Sequence, residues 1–324
     1  MSKSKQKLGK YVDILSDFGW KFYFGREENK ILLIAFLNSL FEGEKEITDI
    51  RYTAVEHDGD SKEMRRVVFD LLCIGKDGEH FIVEMQQLFQ EFFKDRAVYY
   101  TSRLINKQLP RGKKGNDYCL PEIYFIGILE FSMVGNGPEL VSHDTERPYF
   151  HDVALCDRQT HEVFYNKLGY KLISLPTFTK TDKQLASVMD QWIYLLKHLS
   201  QMDRLPSFLD KRIFGRIFEV GEVGNLTKED LMSYEASLKH KRDAESAFNS
   251  ALRAGRAEGK RKGLIEGKRA GIIEGKREGI IEGKLEGERE KSIDIATEML
   301  NAGLPIDQIA HFTKLSEKEI EKLK

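Results

Sequence analysis

Residues 64–87 read MRRVVFDLLCIGKDGEHFIVEMQQ, two short apolar strands around Lys76-Asp77-Gly78. With those three residues as the loop and Gly78 at its left-handed position, the stretch is a three-residue β-hairpin. Pairing then runs from 75 with 79 down to 70 with 84. Asp70 and Glu84 fall directly opposite each other on one face, with Leu72 and Ile82 beside them and Gln86 two residues further along. The Cβ atoms of such a pair lie roughly 5 Å apart. Two carboxylates at that range repel, and apolar neighbours sharpen the conflict. A hard divalent cation between them would resolve it. A two-residue loop would shift the register by one and destroy the constellation.

The chain has 324 residues, 41% apolar and 32% charged, with a formal net charge of -1. That length suits about two domains. The balance of charge excludes a global basic field, so any nucleic-acid contact must be a local patch. Cys73, Cys119 and Cys156 are scattered, which argues against a structural zinc or a disulfide framework and fits a reducing cytoplasm. The basic start MSKSKQKLGKY lacks the apolar core of a secretory signal, and ILLIAFL is too short to span a bilayer. The expectation is therefore a cytoplasmic protein without a membrane partner.

Around the hairpin, helices are expected over 26–41, 91–109, 182–199, 208–220 and 228–253, and strands over 47–56, 122–131, 150–156 and 170–175. The 26–41 helix turns Ile31, Ile34, Ala35, Leu37, Asn38 and Leu40 to one face, and the 91–109 helix turns Phe92, Ala97, Tyr100, Leu104 and Ile105 inward. The order predicts an α/β or α+β core over about 13–178. Glycine then recurs at every fourth position from 255 to 287, with Leu-Ile-Glu and Ile-Ile-Glu blocks between. Each helical glycine costs about 1 kcal/mol relative to alanine, so nine cost about 9 kcal/mol. This segment is either a helix that orders by self-association or docking, or a spacer. Residues 291–324 regain ordinary composition and read as short helices, with Ser316 and Glu319 as a capping box. With no basic recognition helix in view, they suit a packing or assembly module better than a helix-turn-helix.

Asp70 follows Val67-Val68-Phe69, and Glu84 interrupts Phe81-Ile82-Val83-Met85. A charge within a core strand is expensive unless paired. Metal-dependent phosphodiester hydrolysis uses this donor set: two carboxylates on a magnesium ion and a third group beside the attacking water. The plain alternative is a solvated strand face. Past the hairpin, Arg96, Tyr99, Tyr100 and Arg103 share a helix, and Lys107, Arg111, Lys113 and Lys114 follow. Basic and aromatic groups beside a carboxylate site suit phosphate contact; a solvated basic face over buried tyrosines is the alternative. His57, His80, His143, His151 and His161 are isolated, so they are read as non-catalytic.

The pattern Asp-(x13)-Glu-x-Gln on a hairpin resembles the PD-(D/E)XK nuclease core. The segments 16–41, 67–87, 95–109, 122–131 and 171–178, with the glycine repeat, resemble the Rpn group of recombination-promoting nucleases and transposases. The resemblance implies a PD-(D/E)XK α/β core sheet flanked by helices and followed by a helical C-terminal region. It implies a Mg2+-dependent DNA endonuclease associated with recombination or transposition. Asp70 and Glu84 would hold the metal, Gln86 would take the lysine's place, and Asp17 or Glu28 on the first helix would complete the site. Asp17 has a competing role as a helix cap. The pattern departs at Phe69, where the motif has proline, and at Gln86, which brings no positive charge. The implied organisation is an arm over 1–12, a nuclease-like domain over 13–180, a helical region over 181–253, the glycine repeat over 254–290 and a helical tail over 291–324. The rival is a catalytically degenerate DNA-binding or assembly protein that forms homo-oligomers through its C-terminal tail. A hydrolase of another phosphodiester is the third possibility.

Overall fold

The computed structural model describes residues 8–54, 56–57, 67–108, 119–133 and 148–324. Two compact units divide the chain, Met1–Glu245 and Ser246–Lys324. In the first, α1 (Asp17–Phe24) and α2 (Lys30–Leu40) precede β1 (Ile50–Tyr52) and a small ribbon of β2 (Glu56–His57) with β3 (Val67–Val68). The hairpin β4 (Leu71–Gly75) and β5 (His80–Gln86) follows, then α3 (Phe93–Gln108), β6 (Ile123–Leu129), β7 (Phe150–Cys156) and β8 (Val163–Ser174). Helices α4 (Val188–His198) and α5 (Lys211–Val220) come next.

The six-stranded sheet has the order β1-β4-β5-β6-β8-β7. Its centre, β5-β6-β8, is parallel, and its edges are antiparallel. The parallel pair β5 and β6 is joined through α3, as parallel neighbours require a crossover. Helix α3 covers one face, where Phe93, Ala97 and Leu104 pack with Leu72, Ile82 and Phe125. Helices α1, α2, α4 and α5 cover the other, where Trp20, Phe36, Trp192 and Phe214 pack with Cys73, Phe81 and Val83. This is the α/β architecture expected of a PD-(D/E)XK core.

The hairpin register is the one the sequence predicts. Leu71 pairs with Val83, Leu72 with Ile82, Cys73 with Phe81 and Ile74 with His80. The Gly75 N–H donates to the Glu79 carbonyl at 2.8 Å, and Gly78 has φ +88°. Other details differ. Phe92 is 66% exposed, and its neighbour Phe93 takes the inward position. On α2, Leu32, Leu33, Phe36, Leu37 and Leu40 are buried while Ile31 is exposed. An almost wholly apolar helix has no sequence contrast to mark its inner face. β8 starts at Val163, well before the expected 170, because it pairs back along β7 through the loop between them.

Helix α6 (Lys228–Asn301) begins in the first unit and ends in the second. The glycine repeat is helical throughout, and residues 245–286 are all exposed. In the second unit, the end of α6 packs with α7 (Ile306–Thr313) and α8 (Glu317–Glu321) around Ala296, Ile309, Leu315 and Ile320. The Ser316–Glu319 capping box is present at α8. Among the described residues no helix is long and apolar enough to cross a membrane.

A Cβ at position 78 would meet nothing within 4 Å, so any cost there is one of backbone conformation. Gly78→Ala should destabilise the protein by about 1–2 kcal/mol. A urea unfolding midpoint unchanged from wild type would show that the loop does not require the left-handed residue.

Candidate active site

β4 and β5 alternate their side chains. Leu71, Cys73, Phe81 and Val83 enter one core, while Leu72 and Ile82 enter the core under α3. By the same alternation Asp70, Glu84 and Gln86 take the α3 face. The two acids interlock. The Asp70 N–H donates to Glu84 Oε1 at 3.0 Å, and the Met85 N–H donates to Asp70 Oδ2 at 2.9 Å. Each carboxylate therefore caps backbone on the opposite strand, where the hairpin ladder ends. Glu84 is 2% exposed, whereas Asp70 is half-buried and lines a cleft of about 330 Å³.

Asp17, Trp20, Gln86, Gln87, Gln90 and Arg96 share that cleft. Of the two acids considered on the first helix, Asp17 is at the cleft and Glu28 is not; Glu28 is exposed in the turn before α2. Ser16, rather than Asp17, caps α1, with its hydroxyl accepting from the Gly19 N–H at 2.9 Å. Asp17 instead pairs with Lys21 at 2.8 Å. A larger concavity of about 1010 Å³ lies between residues near the N-terminus and α6. Its charges are mixed, and Lys241 there is bound to Glu130. Its Asp13 carboxylate is already matched by Lys241, whereas the smaller cleft opens on the Asp70–Glu84 pair through Asp70.

Arg96 enters the site directly. Its Nη2 donates to Glu84 Oε2 at 2.8 Å, and its Nη1 donates to Gln86 Oε1 at 3.0 Å and to Gln90 Oε1 at 2.8 Å. Its guanidinium also lies 5.0 Å from the Tyr100 ring centre, and Tyr100 meets Phe69 edge-on. Arg103 is buried at 6% exposure, so it does not present an open phosphate contact. Lys107 is exposed. Arg111, Lys113, Lys114 and His143 lie outside the described residues. Gln90 is a cleft residue that the hairpin pattern does not reach. Its signal is the run Gln86, Gln87 and Gln90 just after β5.

The electrostatics follow from this packing. Burial pushes the Glu84 carboxyl up to about 8, and the adjacent Asp70 charge adds to the rise, while Arg96 opposes it. Burial also raises Asp70, against the Met85 N–H that stabilises its charge. The pair thus resists being doubly ionised without more positive charge. Two oxygen-donor carboxylates suit Mg2+, which takes one or two carboxylates and keeps waters in its remaining positions. Among the described residues no group of three or more His, Cys, Asp or Glu side chains gathers to hold a metal. Asp17 borders the cleft without joining the pair. The donor set fits a hydrated hard cation and does not form a closed protein cage.

The sign of the pH effect follows. An ordinary glutamate titrates near 4.5, and buried Glu84 near 8. Between those values the folded protein keeps a proton that the unfolded chain has released. Stability is therefore lost as pH rises through the window. In chelator-treated buffer, wild type should melt at falling temperature from about pH 5 to about pH 8, and Glu84→Gln should show a flatter profile. Parallel melting profiles for the two proteins would refute a strained buried Glu84.

Residues 14–251 match the family model described as PD-(D/E)XK nuclease family transposase. Residues 289–324 match that of the Rpn/YhgA-like nuclease family, C-terminal HTH domain. The second match corrects the expectation of a mere packing module, and the glycine repeat between falls in neither model. No curated protein and no solved structure gives a significant match. With the sheet, the opposed acids and the terminal helices all in place, the chain belongs to the Rpn/YhgA-like PD-(D/E)XK nuclease family transposases, and its role is a nuclease- or transposase-related one.

Proposed function

We propose that this chain is a Mg2+-dependent DNA endonuclease serving recombination or transposition. The observation that carries the reading is the interlocked Asp70–Glu84 pair, buried on the α3 face and open to a cleft through Asp70. Asp70 and Glu84 would hold the divalent cation, with Asp17 near enough to the cleft mouth to orient its waters. A bound cation supplies charge neutralisation and a more acidic water. Gln86 positions water or a phosphate oxygen in the cleft. In the reaction the water oxygen bonds to phosphorus, one P–O bond to a sugar oxygen breaks, and that oxygen leaves with a proton. DNA as substrate is supported by the C-terminal HTH domain. Arg96, which lines the cleft, is the basic side chain of α3 placed to meet a phosphate there.

Plasmid cleavage in Mg2+ tests the assignment. Asp70→Ala and Glu84→Ala should each lose at least about 100-fold in rate, since loss even of a ligand's supporting partner costs 10–100-fold. Two variants that cut as fast as wild type would remove the pair from the mechanism. A melting temperature indifferent to Mg2+ and Mn2+ would favour the degenerate DNA-binding protein instead.

The repeat helix favours an assembly role alongside catalysis. Leu264, Ile265, Ile272, Ile273, Ile280 and Ile281 are all exposed within it. Four residues advance 400°, so the glycine positions drift about 40° per step, which favours a right-handed coil over a left-handed heptad coil. We propose that this segment self-associates. Light scattering should give a multimeric mass for the full chain and a monomeric mass after deletion of residues 255–324. Equal subunit numbers for both would rule out tail-driven assembly.

A further inference from the structure

The hairpin leaves one chemical need unmet. Gln86 stands where a lysine would bring a positive charge, two residues past Glu84 on the same strand face. An amide is neutral at every relevant pH. The structure brings a cation to that place from another element. Arg96, on the first turns of α3, reaches Glu84, Gln86 and Gln90 with its two terminal nitrogens. We infer that Arg96 is the positioning residue that supplies the missing charge, and that it fixes the Gln86 amide with its NH2 end turned to the cleft.

Three observations support this. First, a guanidinium only donates, so the Gln86 atom that meets Arg96 must be the amide oxygen. The NH2 group then faces away from Arg96, on a side chain that lines the cleft. Gln86 thereby becomes a donor suited to a phosphate oxygen or to the lone pair of a water. Second, Arg96 is held on several sides. Gln90 shares its Nη1, Tyr100 offers a ring face at 5.0 Å, and Phe69, immediately before Asp70, supports Tyr100 edge-on. A side chain serving only as a surface ion pair would not have this scaffold. Third, its side chain remains 30% exposed and lines the cleft with Asp70, so the charge is accessible to an anion there. Guanidinium remains charged throughout the working range and matches phosphate geometry.

The arrangement also explains why position 86 is not lysine. A second cation at the Gln86 amide would face Arg96 at close range. Gln86 and Arg96 behave as one unit that divides a lysine's work between a neutral donor and a remote charge.

The inference rests on the nuclease reading, and its test separates the two. Full-length Arg96→Gln, Arg96→Lys, Gln86→Lys and the double variant Gln86→Lys/Arg96→Gln are compared in plasmid cleavage. Thermal melting confirms folding, and calorimetry measures Mn2+ binding without DNA. Arg96→Gln should lose about 100-fold in kcat with little change in KM, as expected when a preorganised donor near developing charge is removed. Arg96→Lys should recover part of the loss. Gln86→Lys alone should be impaired by the juxtaposed cations. The double variant should exceed Arg96→Gln by about tenfold, a non-additivity expected of residues in contact. At about pH 8.5, where Glu84 is largely ionised, Arg96→Gln should bind Mn2+ several-fold more tightly, because a cation beside that carboxylate has been removed. A folded Arg96→Gln that cuts at the wild-type rate, a double variant no better than Arg96→Gln, or an unchanged Mn2+ affinity would each overturn the assignment. Failure of the nuclease reading would show separately, as Asp70→Ala and Glu84→Ala cutting like wild type.

Discussion

Two carboxylates set across a hairpin govern the site. Asp70 and Glu84 are neighbours because the Lys76–Gly78 loop fixes the register, and they share a face because strands alternate. Each then accepts a backbone N–H from the other's strand. Those bonds hold the acids in place without neutralising them. Each lies buried beside the other's charge, so ionising both costs more than ionising either alone. The sheet therefore needs a cation on this face, and the crossover between β5 and β6 delivers α3 there with Arg96 on its first turns. Topology and charge make the same demand.

Another flank of the cleft is lined by Asp17 and Trp20 of α1, a segment braced by the start of α6. The Asp13 N–H donates to the Tyr234 hydroxyl at 2.9 Å, and the Phe18 N–H donates to Ser237 at 3.1 Å. Arg26 grips Asp230, and Lys241 reaches both the Leu15 carbonyl and Glu130. These contacts seat α1, and with it Asp17, against the cleft that β4 and β5 open. Helix α6 thus braces the start of the chain from more than 200 residues away in sequence, although none of its side chains lines the cleft.

The hairpin was legible because its information is local. A three-residue loop with glycine, two alternating strands and one charge in each leave a single register that buries the apolar residues. Arg96 was visible as a basic residue near the site, yet its role was not. The position of a helix on a sheet depends on the loop before it, and Phe92 and Phe93 compete for the inward place. One step of rotation decides whether Arg96 faces solvent or Glu84. The buried face of α2 was hidden for a related reason, since apolar residues cover its whole circumference. Asp17 and Glu28 were equal candidates in sequence because both sit near the first helices. Only the packing of α1 separates them.

The tail shows where local rules stop being sufficient. Nine glycines in α6 weaken helix formation by about 9 kcal/mol relative to alanine, and a Cβ at any of them would meet nothing within 4 Å. They do not serve close packing within one chain. Paired aliphatic residues between them are likewise uncovered. Short i,i+4 ion pairs such as Glu258–Lys262 return only tenths of a kcal/mol each. Under the proposed self-association, burial of the aliphatic pairs would offset that cost, and the glycines would let a second helix backbone approach closely. The repeat lies between the nuclease and HTH matches as an exposed helix, and the proposed self-association would turn its aliphatic and glycine positions into an interface.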